Sequence, residues 1–454
     1  MFEYLKRAEI LGATFADIRY EKIESRSITI TEERKYLNQG EEEGYFIRII
    51  QNRNFGFKST NKISNIDIED AINSAYGDEK VNIVFLPSKH DRITIGKRFQ
   101  KSIEEEAKDL EKIKEYIGNL HESIRSFTIK YYEEKFHKEY YSTEDRELVS
   151  EGNISRLTIT VVGRESNIIA EAFDAVSTHL GYVLDIFDIN EILERVRKRL
   201  TNQLKGRTAK AGQYQVVLAP EVVGVFTHEA LGHLAEADGA LDGILYKLKG
   251  KKIAPDFVNI SDLPTLNHNK AFGTLIYDDE GVEGREVKII ENGIVREFMT
   301  DRYYSAYLGQ PPTGNARAQS FRDPPLIRMR NTYMKPGDAE LEELFESIKE
   351  GYYMVSPIGG ETSPDGTFQF SIQEGYRIEN GEIKEPIRNV GISGYTIETL
   401  GKIELVSKKF DLDTGYCGKY GQVVPVSDGG PYIRLSSIKV GGIWARDLFQ
   451  GLKT

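Results

Sequence analysis

The string His228-Glu229-Ala230-Leu231-Gly232-His233 sets two of the chain's seven histidines five positions apart, beyond a stretch at 213–218 that reads as a buried strand and the apolar residues Val222, Val223, Val225 and Phe226. Pro220 suits a first helical position, so the string is expected to run in a helix. Metal-binding helices of the common zinc-protease type space their histidines by four, which keeps both rings on one face. Five residues of an ideal α-helix end about 140° off the starting direction. The chain is thus left with two options. Either the histidines act separately, or the helix is widened by a π-type turn near Gly232, where the missing Cβ makes distortion cheaper.

If the rings do converge, Glu229 stands beside the first as a general base, and a third donor is needed. The lone Cys417, in Thr414-Gly-Tyr-Cys-Gly-Lys-Tyr-Gly-Gln422, is the natural one. Gly415 and Gly418 flank it, and the segment reads as a loop whose backbone can approach an ion. A single cysteine is more often just a small buried apolar group, and this one could also be a nucleophile with a histidine as its base. Spacing does not separate these roles. Glu236 and Asp238 are further ligand candidates, ranked lower because carboxylates at a helix end are usually solvated. Nitrogen and sulfur donors favour zinc over magnesium or calcium. His90, His121, His137, His179 and His268 stand alone in polar contexts and read as surface residues. Asp278-Asp279-Glu280 reads as a turn before a strand, not as a second metal site.

With 454 residues the chain fits two domains of moderate size. Its net charge of -11 and pI near 5.4 lack the basic footprint of a nucleic-acid binder. No apolar run approaches the roughly 18 residues of a membrane span, and the N-terminus lacks a signal-peptide block, so no membrane partner is expected. One cysteine excludes an intrachain disulfide and fits a cytoplasmic address.

Apolar periodicity predicts helices over 2–12, 67–75, 103–125 and 189–204, and strands within 17–31, 44–59, 128–132 and 156–162. Beyond the small, basic, Gly-bounded stretch 205–212 the texture becomes strands and turns. Two hairpins centre on Asn292-Gly293 and Asn380-Gly381, the dipeptide of a type I′ turn. The expected fold is α+β. A mixed α+β N-terminal domain covers 1–204, and a larger, mostly antiparallel β-sheet C-terminal domain covers 213–454 and carries the metal-site helix.

Further blocks carry a resemblance over essentially the whole length. They are Gly44-Tyr-Phe-Ile-Arg48 with Gly56-Phe-Lys-Ser-Thr60, Thr227 to His233, and Thr313-Gly-Asn315. Downstream come Asn331-Thr-Tyr-Met334 with Pro336-Gly337, Ile378-Glu-Asn-Gly381, and Cys417-Gly-Lys419. Gly421-Gln422, Pro425-Val426 and Val440-Gly-Gly442 close the set. In these the chain resembles the TldD/PmbA (TldE) family of modulator-of-gyrase metalloproteases, specifically its TldD branch. The resemblance implies a two-domain subunit in a dimer that encloses a cavity, formed with itself or with a PmbA/TldE-like partner lacking the ligands. It implies His228, His233 and Cys417 as ligands of Zn²⁺ and Glu229 as the catalytic carboxylate. It also implies hydrolysis of short or unstructured peptides by a metal-activated water. The rival readings are a non-catalytic binding or assembly subunit of such a complex, and a cysteine hydrolase using Cys417.

Overall fold

The computed structural model describes residues 1–441 except 79, 98, 100 and 242. Gly442 of the Val440-Gly-Gly442 block, and the end of the expected second domain beyond it, lie outside the described residues. The fold is α+β, with two large sheets. The first has seven strands, ordered Asn54–Thr60, Lys35–Gln51, Phe15–Thr31, Ile124–Ser142, Arg146–Glu165, with Lys89–Ile95 and Ile168–Thr178 both paired to the last of these. Alternation along the strands turns Ile28, Ile129, Tyr131, Leu157 and Ile159 to one face. Helices Ile103–Gly118 and Ile189–Lys205 cover it with Leu110, Ile113, Val196 and Leu200.

The 103–125 helix expected from sequence ends earlier, at Gly118. Asn119 caps it, and Ile124 and Arg125 already belong to the next strand. The first strand, expected within 17–31, is Phe15–Thr31, but the next ones are far longer than their apolar cores suggested, because charged residues continue the pairing outwards. Thus Ile23–Ile30 stays in register with 35–42 although most of the latter is exposed.

The second sheet takes strands from 207–441, beginning inside the stretch read as a linker, where Arg207–Thr208 pairs with Ile387 and Arg388. Its centre closes on itself. Gly212–Leu218 pairs with Glu350–Thr362, which pairs with Thr367–Glu379, then Val390–Tyr395, then Gln422–Gly441, and that strand returns to Gly212–Leu218. This ring of pairings encloses a barrel core of Val216, Leu218, Phe368, Phe370, Ile392, Ile433 and Leu435. Both Asn-Gly hairpins form as expected, with all four turn residues at positive φ.

Candidate metal centre

The helix that follows Gly212–Leu218 starts at Pro220 and is anchored where the Ala219 amide donates to the Met354 carbonyl. It is α-helical through Val225, π-helical over Phe226–Gly232, and tightens to a 3₁₀ turn over His233–Ala235. The amide of His233 donates to the carbonyl of His228, so the two histidines themselves close an i→i+5 turn. That wider turn brings their rings to 5.1 Å between centroids. Gly232 sits against the Met329 sulfur, where a Cβ would collide. The Thr396 hydroxyl donates to the Ala230 carbonyl at 2.7 Å. Gly224 lets the helix approach Asp428 and Gly429 with no side chain between them.

Cys417 does not lie in a loop. It sits near the end of strand Ile403–Lys419, opposite Val424 of strand Gln422–Gly441, and is 2 % exposed. The turn is only Tyr420-Gly421, both at positive φ. The glycines around the cysteine therefore serve a tight hairpin, and strand alternation decides which way its sulfur points. The buried Arg328 guanidinium donates to the Cys417 carbonyl, and Asn315 in turn holds the Arg328 carbonyl at 2.9 Å.

One donor atom each from His228, His233 and Cys417 all lie within 4.8 Å of one another. Cys417 Sγ is 3.6 Å from His233 Nε2. Ordinary Zn–S and Zn–N bonds at a tetrahedral angle put sulfur and nitrogen about 3.6 Å apart, so this pair already stands at zinc-ligand spacing. Burial opposes the charge on His228, but the thiolate of Cys417 outweighs it and lifts the imidazole to about 9. Conversely, burial opposes the thiolate, yet the neighbouring His228 and His233 bring Cys417 down to about 4. A thiolate held between two protonated imidazoles is a site where a divalent cation can take the place of the protons.

Glu229 is the least enclosed of the group, with its carboxylate 3.9 Å from His233 Nε2. It therefore faces the same space as the donor atoms. Glu236 is buried but is not arranged as a ligand, because it accepts from His233 Nδ1 at 3.0 Å, on the far side of the ring. Lys419 donates to Glu236 at 2.9 Å and to Asp238 at 2.7 Å. Asp428 faces His228 Nδ1 at 3.6 Å, and burial raises it to about 7 against the pull of that histidine. Sequence reasoning missed Asp428, Arg328 and Thr396, which come from distant strands with no spacing signal. Lys419 was in plain view, two residues beyond the cysteine.

One other expectation changes: His179 is buried, its ring and carbonyl packed on Gly96. Asp278-Asp279-Glu280 forms the expected turn, closed by the Gly281 amide on the Asp278 carbonyl, but the turn is buried. Asp278 and Glu280 are 4 % exposed, and the run meets Arg48, Lys138 and Arg19 of the first sheet. Desolvation there, and the charge of Glu280, push Asp278 up to about 8. A cavity of about 740 Å³ lies between this run, the first sheet and the outer side of the hairpin at Tyr416 and Val423. None of the three donor residues lines it.

The chain is similar to known metallopeptidases. Residues 211–442 match the PmbA/TldA metallopeptidase C-terminal domain, and residues 93–204 match the central domain of the same family. A protein of Saccharolobus solfataricus named zinc metalloprotease TldD homolog is 64% identical over 442 residues, 97% of this chain and 100% of that protein. A metalloprotease of Methanothermobacter thermautotrophicus is 34% identical over 453 residues, 94% of this chain and 95% of its own. Among solved structures, TldE of Thermococcus kodakarensis superposes with a TM-score of 0.77 over 97% of this chain and 100% of its own. At 20% identity, that likeness is one of fold.

Proposed function

The chain belongs to the PmbA/TldD family of metallopeptidases, and on that premise we propose that it is a zinc peptidase of the His-Glu-three-residues-His type, with His228, His233 and Cys417 as ligands and Glu229 as its base. The observation that carries the reading is the fit of the donor atoms, with sulfur and nitrogen 3.6 Å apart across 184 residues of chain. Zinc held there supplies Lewis acidity, which polarises a scissile carbonyl and acidifies water.

Glu229 faces the donor atoms without being one of them, so its carboxylate is placed to take a proton from the attacking water and pass it to the leaving amine. The thiolate of Cys417 balances half of a divalent charge, which leaves Glu229 free to cycle its proton. Substrate is held as an added strand. Strand Glu350–Thr362 pairs with Thr367–Glu379 along its length, but with Gly212–Leu218 only up to Met354. Among the described residues nothing pairs with the other edge of 356–362, and Gly360 there lies against Val225 of the metal-site helix. Main-chain pairing along that edge captures short or unfolded peptides with little regard to side chains. A peptide complex showing no backbone pairing at 356–362 would remove this part.

Metal content and peptide cleavage of wild type, Glu229→Gln and Cys417→Ser test the whole. Glu229→Gln is expected to keep zinc and lose cleavage, and Cys417→Ser to lose both. The low thiol pKa and nearby His233 favour one second reading, a cysteine hydrolase. A metal-free, fully active wild type would establish it. The dimer is formed with a second copy or with a TldE-like partner, and mass measurement of the isolated chain separates these. No described helix is long and apolar enough to cross a membrane. A lone thiolate donor suits the reducing cytoplasm, which is where we place the enzyme.

A further inference from the structure

The two ligand-bearing segments are joined behind the metal by one side chain. Lys419, two residues past Cys417, reaches back to the segment that follows His233. Its ammonium donates to Glu236 at 2.9 Å, to Asp238 at 2.7 Å and to the Ile327 carbonyl at 3.1 Å. An ammonium has three protons, so every donor is used. The Glu236 oxygen that receives Lys419 is the same one that accepts from His233 Nδ1, at 3.0 Å. His228 has no such anchor. Its Nδ1 lacks a hydrogen-bond partner, and the nearest carboxylate, Asp428, stands 3.6 Å away.

We propose that Lys419 and Glu236 are positioning residues that strap the cysteine hairpin to the second histidine and fix the tautomer of His233. The inference rests on the three-ligand reading above. Nδ1–H donated to Glu236 leaves the lone pair of Nε2 facing Cys417, the state a metal requires. Lys419 holds Glu236 in place for that bond and ties its backbone to the strand carrying the sulfur. The 3.6 Å spacing between Cys417 and His233 is therefore set from behind, by an ion pair between their own neighbours. Asp428 contributes less, because it makes no comparable bond.

The test uses the full chain. Zinc affinity is measured by competition with a chromogenic chelator, and the Co²⁺-substituted protein is read by its thiolate charge-transfer and d–d bands. Lys419→Met and Glu236→Gln are each expected to weaken zinc about 10- to 100-fold, the range for lost partners of metal ligands. Both should shift the Co²⁺ bands, while Lys419→Arg recovers part of the affinity and Asp428→Asn weakens it less than Glu236→Gln. If Lys419→Met does not fold by circular dichroism, Asp238→Asn takes its place, removing one acceptor, with an intermediate loss expected. Wild-type affinity and unshifted bands in these variants would overturn the strap. That result would leave the metal site standing so long as Cys417→Ser still abolishes binding. A wild type that binds neither ion would instead defeat the site itself, and the strap with it.

Discussion

Replacing Thr396 by valine asks whether the π-turn is held from outside. Thr396 is fully buried, and its hydroxyl lies 2.7 Å from the Ala230 carbonyl and 3.0 Å from that of Gly366. The Gly366 carbonyl already accepts the Thr396 amide at 2.8 Å, so the single hydroxyl proton belongs to Ala230. Ala230 sits where the helix passes from π to 3₁₀ bonding, the place where in-helix partners are poorest. Valine keeps the shape and deletes the donor, leaving a buried carbonyl short of a partner at about 1–3 kcal/mol. For a unit of this size that lowers the thermal midpoint by roughly 2–4 °C per kcal/mol. Since the strained turn brings His228 to His233, zinc affinity should fall too, by at most tenfold per 1.4 kcal/mol of that loss. Thermal unfolding of the metal-free protein and chelator competition read the two effects. Thr396→Ser separates them, because it loses a methyl worth about 0.8 kcal/mol but keeps the donor and therefore the zinc affinity. A valine variant equal to wild type in both measurements would show that the π-turn needs no support from Thr396.

Gly232→Ala drives a methyl into the Met329 sulfur, so a loss of about 1–3 kcal/mol is expected by chemical denaturation, partly relieved in the double variant with Met329→Ala. Chelation of the zinc-loaded protein should remove the linkage stabilisation, about 2.7 kcal/mol at 100 times Kd, and so lower the thermal midpoint, and Cys417→Ser should show no such response in calorimetry. Glu106 offers a pH test remote from the metal. Burial first, then the hydrogen bond and charge of Glu133, lift it from its ordinary 4.5 to about 8, against the pull of Arg26. The folded state thus keeps a proton that the unfolded chain releases. The stability is full below about 4.5 and is lost as pH rises through 8, and Glu106→Gln should flatten that decline in midpoints measured from pH 4.5 to 8.

Much of the site was legible because local chemistry is written locally. The five-residue histidine spacing left a widened turn as the one way for the rings to converge, and the turn is there over Phe226–Gly232. Asn292-Gly293 and Asn380-Gly381 announced their hairpins because few residues tolerate positive φ. What failed was everything decided by distant partners. Cys417 looked like a loop residue because Gly415 and Gly418 are poor strand formers, yet pairing with Gln422–Gly441 overrides that preference. Asp279 and Glu280 read as a plain turn because their cationic partners lie more than a hundred residues away, on the first sheet. Glu236 was weighed as a ligand, but its proximity in sequence to His233 hid that it meets the wrong nitrogen for that role.

The long strand Gln422–Gly441 acts as a common ruler for both halves of the site. Leu218, just before the metal-site helix, is registered against Ile433, and Cys417 against Val424. The nine steps between those points span about 30 Å at 3.3 Å per residue. Because Gly212–Leu218 runs antiparallel to the ruler, the helix leaving it travels back towards the hairpin tip. Val223 passes Gly430, Gly224 passes Asp428, and His228 faces Asp428. Thirteen steps from Pro220 to His233 cover about 20 Å at helical rise, and the side chains bridge what remains. A one-residue slip of the hairpin would re-form its ladder with shifted partners and turn the Cys417 sulfur to the opposite face. The Tyr420-Gly421 turn forbids that slip, so those two residues position the third donor as surely as any that touches it.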